Sequence, residues 1–125
     1  MSAASGLARR FVAAVTARDL GALRALLTDD AVFWTNATMT DVDRETRLTQ
    51  IAHEFRTFER IAFENARIDD FGTGFVLRAR ARGVLPGGAQ FAFPICMVAD
   101  TRNGRVRRLE EYFDPAAARP ALNAL

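Results

Sequence analysis

The chain has 125 residues, of which 50% are hydrophobic and 26% charged. This is the length and balance of one folded domain, residues 1–125, and it excludes a disordered or low-complexity chain. All 17 basic residues are arginine, against 15 acidic residues, so the net charge of +2 excludes a strong nucleic-acid-binding footprint. No apolar run reaches the roughly 18–20 residues that span a bilayer, so we expect no membrane partner.

One cysteine, Cys96, and one histidine, His53, are present. They exclude an internal disulfide and a zinc site built from cysteine and histidine, and the absence of lysine excludes Schiff-base chemistry. We therefore expect neither a metal nor a cofactor. The single free thiol is compatible with a reducing compartment, and we predict a cytoplasmic location.

The first half of the chain is predicted to be mainly helical. Leu7, Phe11 and Val15 recur at helical spacing and predict a helix over residues 4–17. Asp19 is a candidate N-cap for a short second helix that ends at the Thr-Asp-Asp run of residues 28–30. A strand over 31–36, a polar loop and a third helix over 43–58 are predicted to follow.

The second half changes to a period of two residues, which is typical of strands. Four strands are predicted, over residues 61–68, 75–85, 90–99 and 106–113. Pro86-Gly87-Gly88 and Asn103-Gly104 are turn signals between them, and the alanine-rich tail after Pro115 is either helical or frayed. Helices followed by an antiparallel meander predict an α+β domain, with helices packed on one face of a curved sheet.

Three segments carry a resemblance to a known family. They are the Leu26–Phe33 run, the helix start at Asp43-Arg44-Glu45, and Asn103-Gly104-Arg105-Val106 with Glu111-Tyr112-Phe113-Asp114. Their order and spacing resemble the nuclear transport factor 2-like superfamily, and within it the branch of SnoaL-like proteins and limonene epoxide hydrolases. The resemblance implies a cone, with about three helices on the concave face of the sheet around a pocket, and a homodimer through the outer sheet face.

The epoxide hydrolase branch offers the nearest local match, over Arg78 to Asp114. Arg78 occupies the place of an arginine in that branch, and Glu111 the place of a last-strand aspartate. Arg80 stands where the second aspartate is expected, and Phe33 and Thr35 stand where a water-holding tyrosine and asparagine are expected. The resemblance therefore implies a pocket in this position without the complete set of groups for epoxide hydrolysis.

Steroid isomerisation is rejected. The general base of the ketosteroid isomerase branch falls near Thr35, and its two proton donors fall near Phe11 and Phe93. A base must accept a proton and an oxyanion donor must carry one, and these side chains do neither.

Glu111 is the best candidate for chemistry. It shares one strand face with Leu109 and Phe113, and a carboxylate among apolar side chains can be tuned as a general acid or base. A structural ion pair with Arg78 or Arg80 is an equally good interpretation. We predict that Arg78 points inward and pairs with Glu111, orienting it or binding an oxyanion.

Arg78, Arg80 and Arg82 lie on one face of their strand, and two arguments disagree about it. Simple alternation places Leu77 and Ala79 in the core and the arginines in water or at an interface, whereas the resemblance directs Arg78 and Arg80 into the cone. If two arginines point inward, a planar acid is the expected ligand, because guanidinium groups bind planar anions well.

The predicted pocket is apolar, which suits a lipophilic or weakly acidic small molecule. Its expected lining combines aromatic residues with positions on the inner strand faces. These predicted ligand-binding residues are Arg80, Phe33, Thr35, Phe55, Phe93, Ile95, Leu109 and Phe113.

Three functional hypotheses remain open. The first is a cofactor-independent hydrolase, isomerase or cyclase with Glu111 as its acid or base and Arg78 beside it. The second is a non-catalytic ligand-binding domain with the same pocket. The third is an interaction module, suggested by the apolar residues that alternate outward on the third of the four strands.

Overall fold

The computed structural model describes residues 3–125 and shows the expected α+β architecture. Helices α1 and α2 are followed by six strands, with α3 between the second and third strands and α4 after the last. The elements are α1 (Ala3–Thr16), α2 (Leu20–Ala25), β1 (Leu27–Thr35), β2 (Val42–Asp43), α3 (Arg44–Thr57), β3 (Arg60–Asp70), β4 (Gly74–Val84), β5 (Gln90–Arg102), β6 (Arg105–Phe113) and α4 (Arg119–Asn123).

The helices begin where the sequence places their caps. The Asp19 carboxylate accepts a hydrogen bond from the Ala22 N–H, and Asp43 accepts one from the Thr46 N–H. Each carboxylate therefore satisfies a backbone donor that the first helical turn leaves free. The α1 face predicted to be apolar is buried, and its Phe11 ring stacks on Phe63 of β3.

Strands β3 to β6 form the predicted antiparallel meander, in a sheet with the order β2-β1-β6-β5-β4-β3. Asn103 and Gly104 both have positive φ, as the tight turn between β5 and β6 requires. The curvature of the sheet accompanies register shifts, including one in β3 at which Asn65 also has positive φ. Such bulges bend a strand and increase its twist.

Strand β1 is longer than predicted and pairs in an unpredicted way. It begins at Leu27 and runs parallel to β6, whereas the sequence placed residues 27–30 at the end of a helix. The Val106 N–H donates to the Leu26 carbonyl, so pairing with the distant β6 overrides the local helical pattern. The predicted polar loop also contains the two-residue strand β2.

The sheet separates two faces. The inner face carries most of the large buried side chains, among them Phe75, Leu77, Met97 and Leu109, and the helices pack against it. At one end of the cone Ala121 of α4 packs with Phe58 and Phe91. Gly83 makes room there, because a Cβ at this position would lie 2.3 Å from the Phe91 ring.

Within residues 3–125, no helix is both long enough and apolar enough to cross a membrane.

Candidate functional site

A small cavity of about 110 Å³ lies inside the cone, between the inner sheet face, α3 and the C-terminal segment. Its walls are mostly aromatic and aliphatic. The lining side chains are Arg47, Glu54, Phe58, Ile61, Phe63, Ala81, Phe91, Phe93, Ile95, Glu111, Phe113, Ala121, Leu122 and Leu125. This volume is well below the roughly 300 Å³ at which drug-sized pockets begin, so most of the cone is filled by side chains.

One side of the cavity is a continuous row of phenylalanine rings. The distances between neighbouring ring centroids are 5.0 Å for Phe58 and Phe91, 6.1 Å for Phe91 and Phe93, and 5.7 Å for Phe93 and Phe113. Strand alternation explains the row, since Phe91 and Phe93 are two residues apart on β5 and Phe113 ends the neighbouring β6. The row gives the cavity a hydrophobic wall of ring surfaces.

Among the described residues, the charged side chains that line the cavity are one cation and two carboxylates. Arg47 and Glu54 are seven residues apart on α3, so they lie on the same side of the helix. Arg47 Nη1 is 3.1 Å from Glu54 Oε1, and Arg47 Nη2 is 3.8 Å from Glu111 Oε1. The guanidinium therefore hydrogen-bonds Glu54 and contacts Glu111 more loosely.

All three charged side chains are largely removed from water. Their side chains are 17% exposed for Arg47, 21% for Glu54 and 15% for Glu111. Burial raises the pKa of the Glu111 carboxyl, and the charge of Glu54 raises it further, whereas Arg47 opposes the shift. Burial alone lowers the pKa of Arg47, but its attraction to the two carboxylates outweighs this and the net pKa is raised.

The predicted pairing of Arg78 with Glu111 is wrong. Arg78 lies on the outer face of β4, where its side chain is 54% exposed and Nη1 is 3.8 Å from Asp69 Oδ2. Arg80 is also exposed on that face. Alternation decided the orientation, because Leu77 and Ala81 fill the core and the arginines between them must point outward. Arg78 and Arg80 therefore do not point into the cone together, which was the condition for expecting a planar acid as the ligand.

The other predicted lining residues divide into two groups. Phe93, Ile95 and Phe113 line the cavity, and their role in ligand binding stays a prediction. Phe33, Phe55 and Leu109 are buried in the surrounding core, and Thr35 is partly buried opposite Glu111 in the sheet without lining the cavity.

The sequence interpretation missed Arg47 and Glu54. A signal existed: positions 47, 51, 54 and 58 follow one line along a helix, and two of them are the apolar Ile51 and Phe58. An arginine and a glutamate in phase with apolar residues indicate charged groups directed toward the core side. The short distances to Glu111, however, depend on how α3 packs on the sheet.

Among residues 3–125, no group of three or more histidine, cysteine, aspartate or glutamate side chains is arranged to hold a metal ion. The chemistry available in the cavity is that of two carboxyl groups and one guanidinium.

The family of SnoaL-like domains matches residues 8–109, most of the chain. The chain belongs to the SnoaL-like family. Glu111 lies just beyond the matched segment, so the role of this residue rests on its position in the structure. Among curated proteins, none matches the chain.

Solved structures share the architecture of this SnoaL-like domain. A provisionally named SnoaL-like polyketide cyclase from Shewanella denitrificans has a TM-score of 0.85 at 15% identity over 100% of both chains. IdmH, a provisionally named polyketide cyclase from Streptomyces antibioticus, has a TM-score of 0.81 at 23% identity, over 95% of this chain and 97% of its own.

An epoxide hydrolase of the limonene epoxide hydrolase-like type from M. tuberculosis has a TM-score of 0.76 at 22% identity. The similarity covers 97% of this chain and 90% of that one. At such identities these likenesses establish the nuclear transport factor 2-like fold of the SnoaL-like domain, and function must be argued from its own residues.

Proposed function

We propose that this SnoaL-like domain binds a small lipophilic molecule in its cavity and performs cofactor-independent acid–base chemistry on it, with Glu111 as the proton-transfer group. One observation carries the proposal: Glu111 places a carboxyl with a raised pKa against an aromatic cavity. Such a carboxyl holds its proton closer to neutral pH than an exposed one, which suits a general acid or base.

In this proposal Arg47 replaces the predicted Arg78. Its guanidinium orients the Glu111 carboxyl from 3.8 Å and stabilises the ionised form after proton transfer. The reaction class is a hydrolysis, an isomerisation or a cyclisation, and the names of two structural relatives suggest the hydrolysis and the cyclisation.

A specific observation favours a second candidate, a non-catalytic ligand-binding domain. The cavity is small, and the inner-face positions of β1 nearest Glu111 carry Phe33 and Thr35, which cannot act as a general base. A domain that only binds its ligand would need no such group.

Glu111→Gln separates the two candidates. Compounds that bind the wild-type protein are first found by thermal shift and then tested for turnover by mass spectrometry. If the domain is an enzyme, E111Q abolishes turnover even at ligand concentrations that saturate the variant. Glu110→Gln is the matched control, because the adjacent carboxylate lies on the opposite sheet face.

Two results would decide against catalysis by Glu111. If E111Q turns over substrate at the wild-type rate, Glu111 is not the acid or base. If ligands bind but none is converted by the wild-type protein, the binding-domain candidate is favoured.

We propose further that two copies of the chain associate through the outer sheet face. Trp34 and Tyr112 pack there with ring centroids 5.2 Å apart, and Tyr112 is 39% exposed. Val76, Cys96 and Val98 extend this apolar surface across β4 and β5.

We also propose a cytoplasmic location, which the free thiol at Cys96 fits.

Light scattering coupled to size exclusion tests the association. A mass twice the 13.8 kDa of the chain is expected for the wild-type protein and the single mass for Val98→Arg. A wild-type protein that is monomeric at high micromolar concentration contradicts the proposal.

A further inference from the structure

The charges lining the cavity do not balance. Of the described residues, the lining includes one cation, Arg47, and two carboxylates, Glu54 and Glu111. With both carboxyl groups ionised, the cluster carries one uncompensated negative charge in a site that is largely shielded from water. Such a charge is costly without a partner.

The two carboxylates do not share the arginine equally. Glu54 takes the hydrogen bond from Arg47 at 3.1 Å, whereas Glu111 lies 3.8 Å from the guanidinium. Glu54 is therefore the compensated member of the cluster, and Glu111 is the group in need of a second cation or of a proton.

The remaining walls also favour positive charge. Five phenylalanine rings line the cavity, at positions 58, 63, 91, 93 and 113. The face of an aromatic ring carries partial negative charge and attracts ammonium groups, more strongly when water is excluded. An anion in the cavity would meet these rings and two carboxylates, while the lining arginine is already hydrogen-bonded to Glu54.

We propose that the natural ligand of this cavity is a small protonated alkylamine, whose N–H donates to the Glu111 carboxylate while its alkyl groups contact the phenylalanine rings. This inference rests on the proposed function, because it names the ligand class of the same site. The cavity of about 110 Å³ limits the ligand to a few non-hydrogen atoms. The ammonium then supplies the positive charge that the cluster lacks.

An isosteric series tests the charge preference without any enzyme assay. tert-Butylammonium, tert-butanol and pivalate share one branched alkyl group and differ in charge. Calorimetry and thermal shift at pH 7 and constant ionic strength are expected to give at least tenfold tighter binding of tert-butylammonium than of tert-butanol. No binding of pivalate is expected.

Two variants test whether the ammonium binds at Glu111. Glu111→Gln is expected to weaken tert-butylammonium binding at least tenfold and to leave tert-butanol binding within twofold. Glu110→Gln, on the outer face, is expected to change neither, and thermal unfolding of both variants verifies that they fold. If E111Q binds the ammonium as tightly as the wild-type protein does, Glu111 is not its partner and the inference is overturned.

The failures of the two proposals are distinguishable. If tert-butanol or pivalate binds at least as tightly as the ammonium, the cavity accepts ligands and only the cationic class is refuted. If none of the three binds, the cavity does not accept small molecules of this size, and both the proposed function and the ligand class fail.

Discussion

The two faces of the sheet use the same residue types under opposite conditions. Glu110 and Glu111 are neighbours on β6, and each contacts an arginine. On the outer face Glu110 accepts hydrogen bonds from Arg108 and from the Tyr112 hydroxyl, and Asp41 adds a further contact to Arg108. On the inner face, the one ion pair of Glu111 within residues 3–125 is the looser contact to Arg47, and aromatic side chains line the cavity around it.

The difference shows how strand alternation can give identical side chains different chemistry. A one-residue step along β6 moves a carboxylate from a partly exposed network of ion pairs to a largely buried cavity. On the outer face of the single chain the solvent screens the charges, so the ion pairs there contribute little. On the inner face the charges are costly to bury, and they have strong effects on stability, on pKa and on ligand preference.

The largest effect is expected from removing the inner-face cation. Arg47→Met leaves Glu54 and Glu111 without their partner and should lower the free energy of unfolding by about 2–4 kcal/mol at pH 7. Urea denaturation measures this loss, which should shrink at pH 4 because Glu111, whose pKa is raised by burial, takes up a proton there.

Arg108→Met is the matched outer-face control for that comparison. In the single chain it should cost about 0–1 kcal/mol, because water can solvate Glu110 and Asp41 there. A loss as large as that of R47M would show that association through the outer face buries these ion pairs as well, and would break the contrast between the faces.

The next-largest loss of stability is expected from adding a side-chain atom at Gly83, on the crowded inner face. A Cβ at Gly83 would lie 2.3 Å from the Phe91 ring and 2.5 Å from the Arg60 carbonyl oxygen. Gly83→Ala should therefore cost about 1–3 kcal/mol in thermal unfolding, since Phe91 must shift at the cavity wall.

Gly21→Ala on the exposed side of α2 is the control for the glycine replacement. Its new Cβ meets only Asp19 Oδ1 at 3.5 Å, and the change should stabilise the protein by about 0.5–1 kcal/mol. Equal effects of the two replacements would mean that the cavity wall at Gly83 is not tightly packed.

The pH dependence of stability should report the burial of the Glu111 carboxyl. The pKa of Glu111 is raised in the folded state above the ordinary glutamate value of 4.5, so the folded protein binds more protons than the unfolded chain above about pH 4.5. Stability contributed by Glu111 is therefore present at low pH and is lost as the pH rises to the folded-state pKa. The loss amounts to about 1.4 kcal/mol for every tenfold gain in proton affinity on folding.

Glu111→Gln removes this loss. The melting temperature of E111Q relative to the wild-type protein should therefore increase between pH 4.5 and pH 8. A flat difference for E111Q across that range would contradict a raised pKa at this site.

The smallest effect is expected at Arg78. Because this side chain is half exposed beside Asp69, Arg78→Ala should change the free energy of unfolding by less than about 0.5 kcal/mol. Ligand binding in the cavity should also be unchanged. Loss of ligand binding in R78A would restore the inward orientation that the family resemblance implied.

Local patterns in the sequence were sufficient for most of the fold. The caps at Asp19 and Asp43, the Asn103-Gly104 turn and the alternation on β4 to β6 all depend on near neighbours, and the structure confirms them. The start of β1 was predicted wrongly, because its pairing partner lies some 80 positions away at Val106. The helix and strand propensities of a few neighbouring residues carry no information about a pairing partner so far along the chain.

The candidate site divides in the same way. Glu111 and the phenylalanine row follow from alternation, which the sequence by itself determined. The partner of Glu111 did not follow, because the choice between Arg78 and Arg47 depends on which face of the sheet α3 covers and how close it packs. Only the tertiary structure decided that choice, since the charges interact through distances between elements that no spacing along the chain encodes.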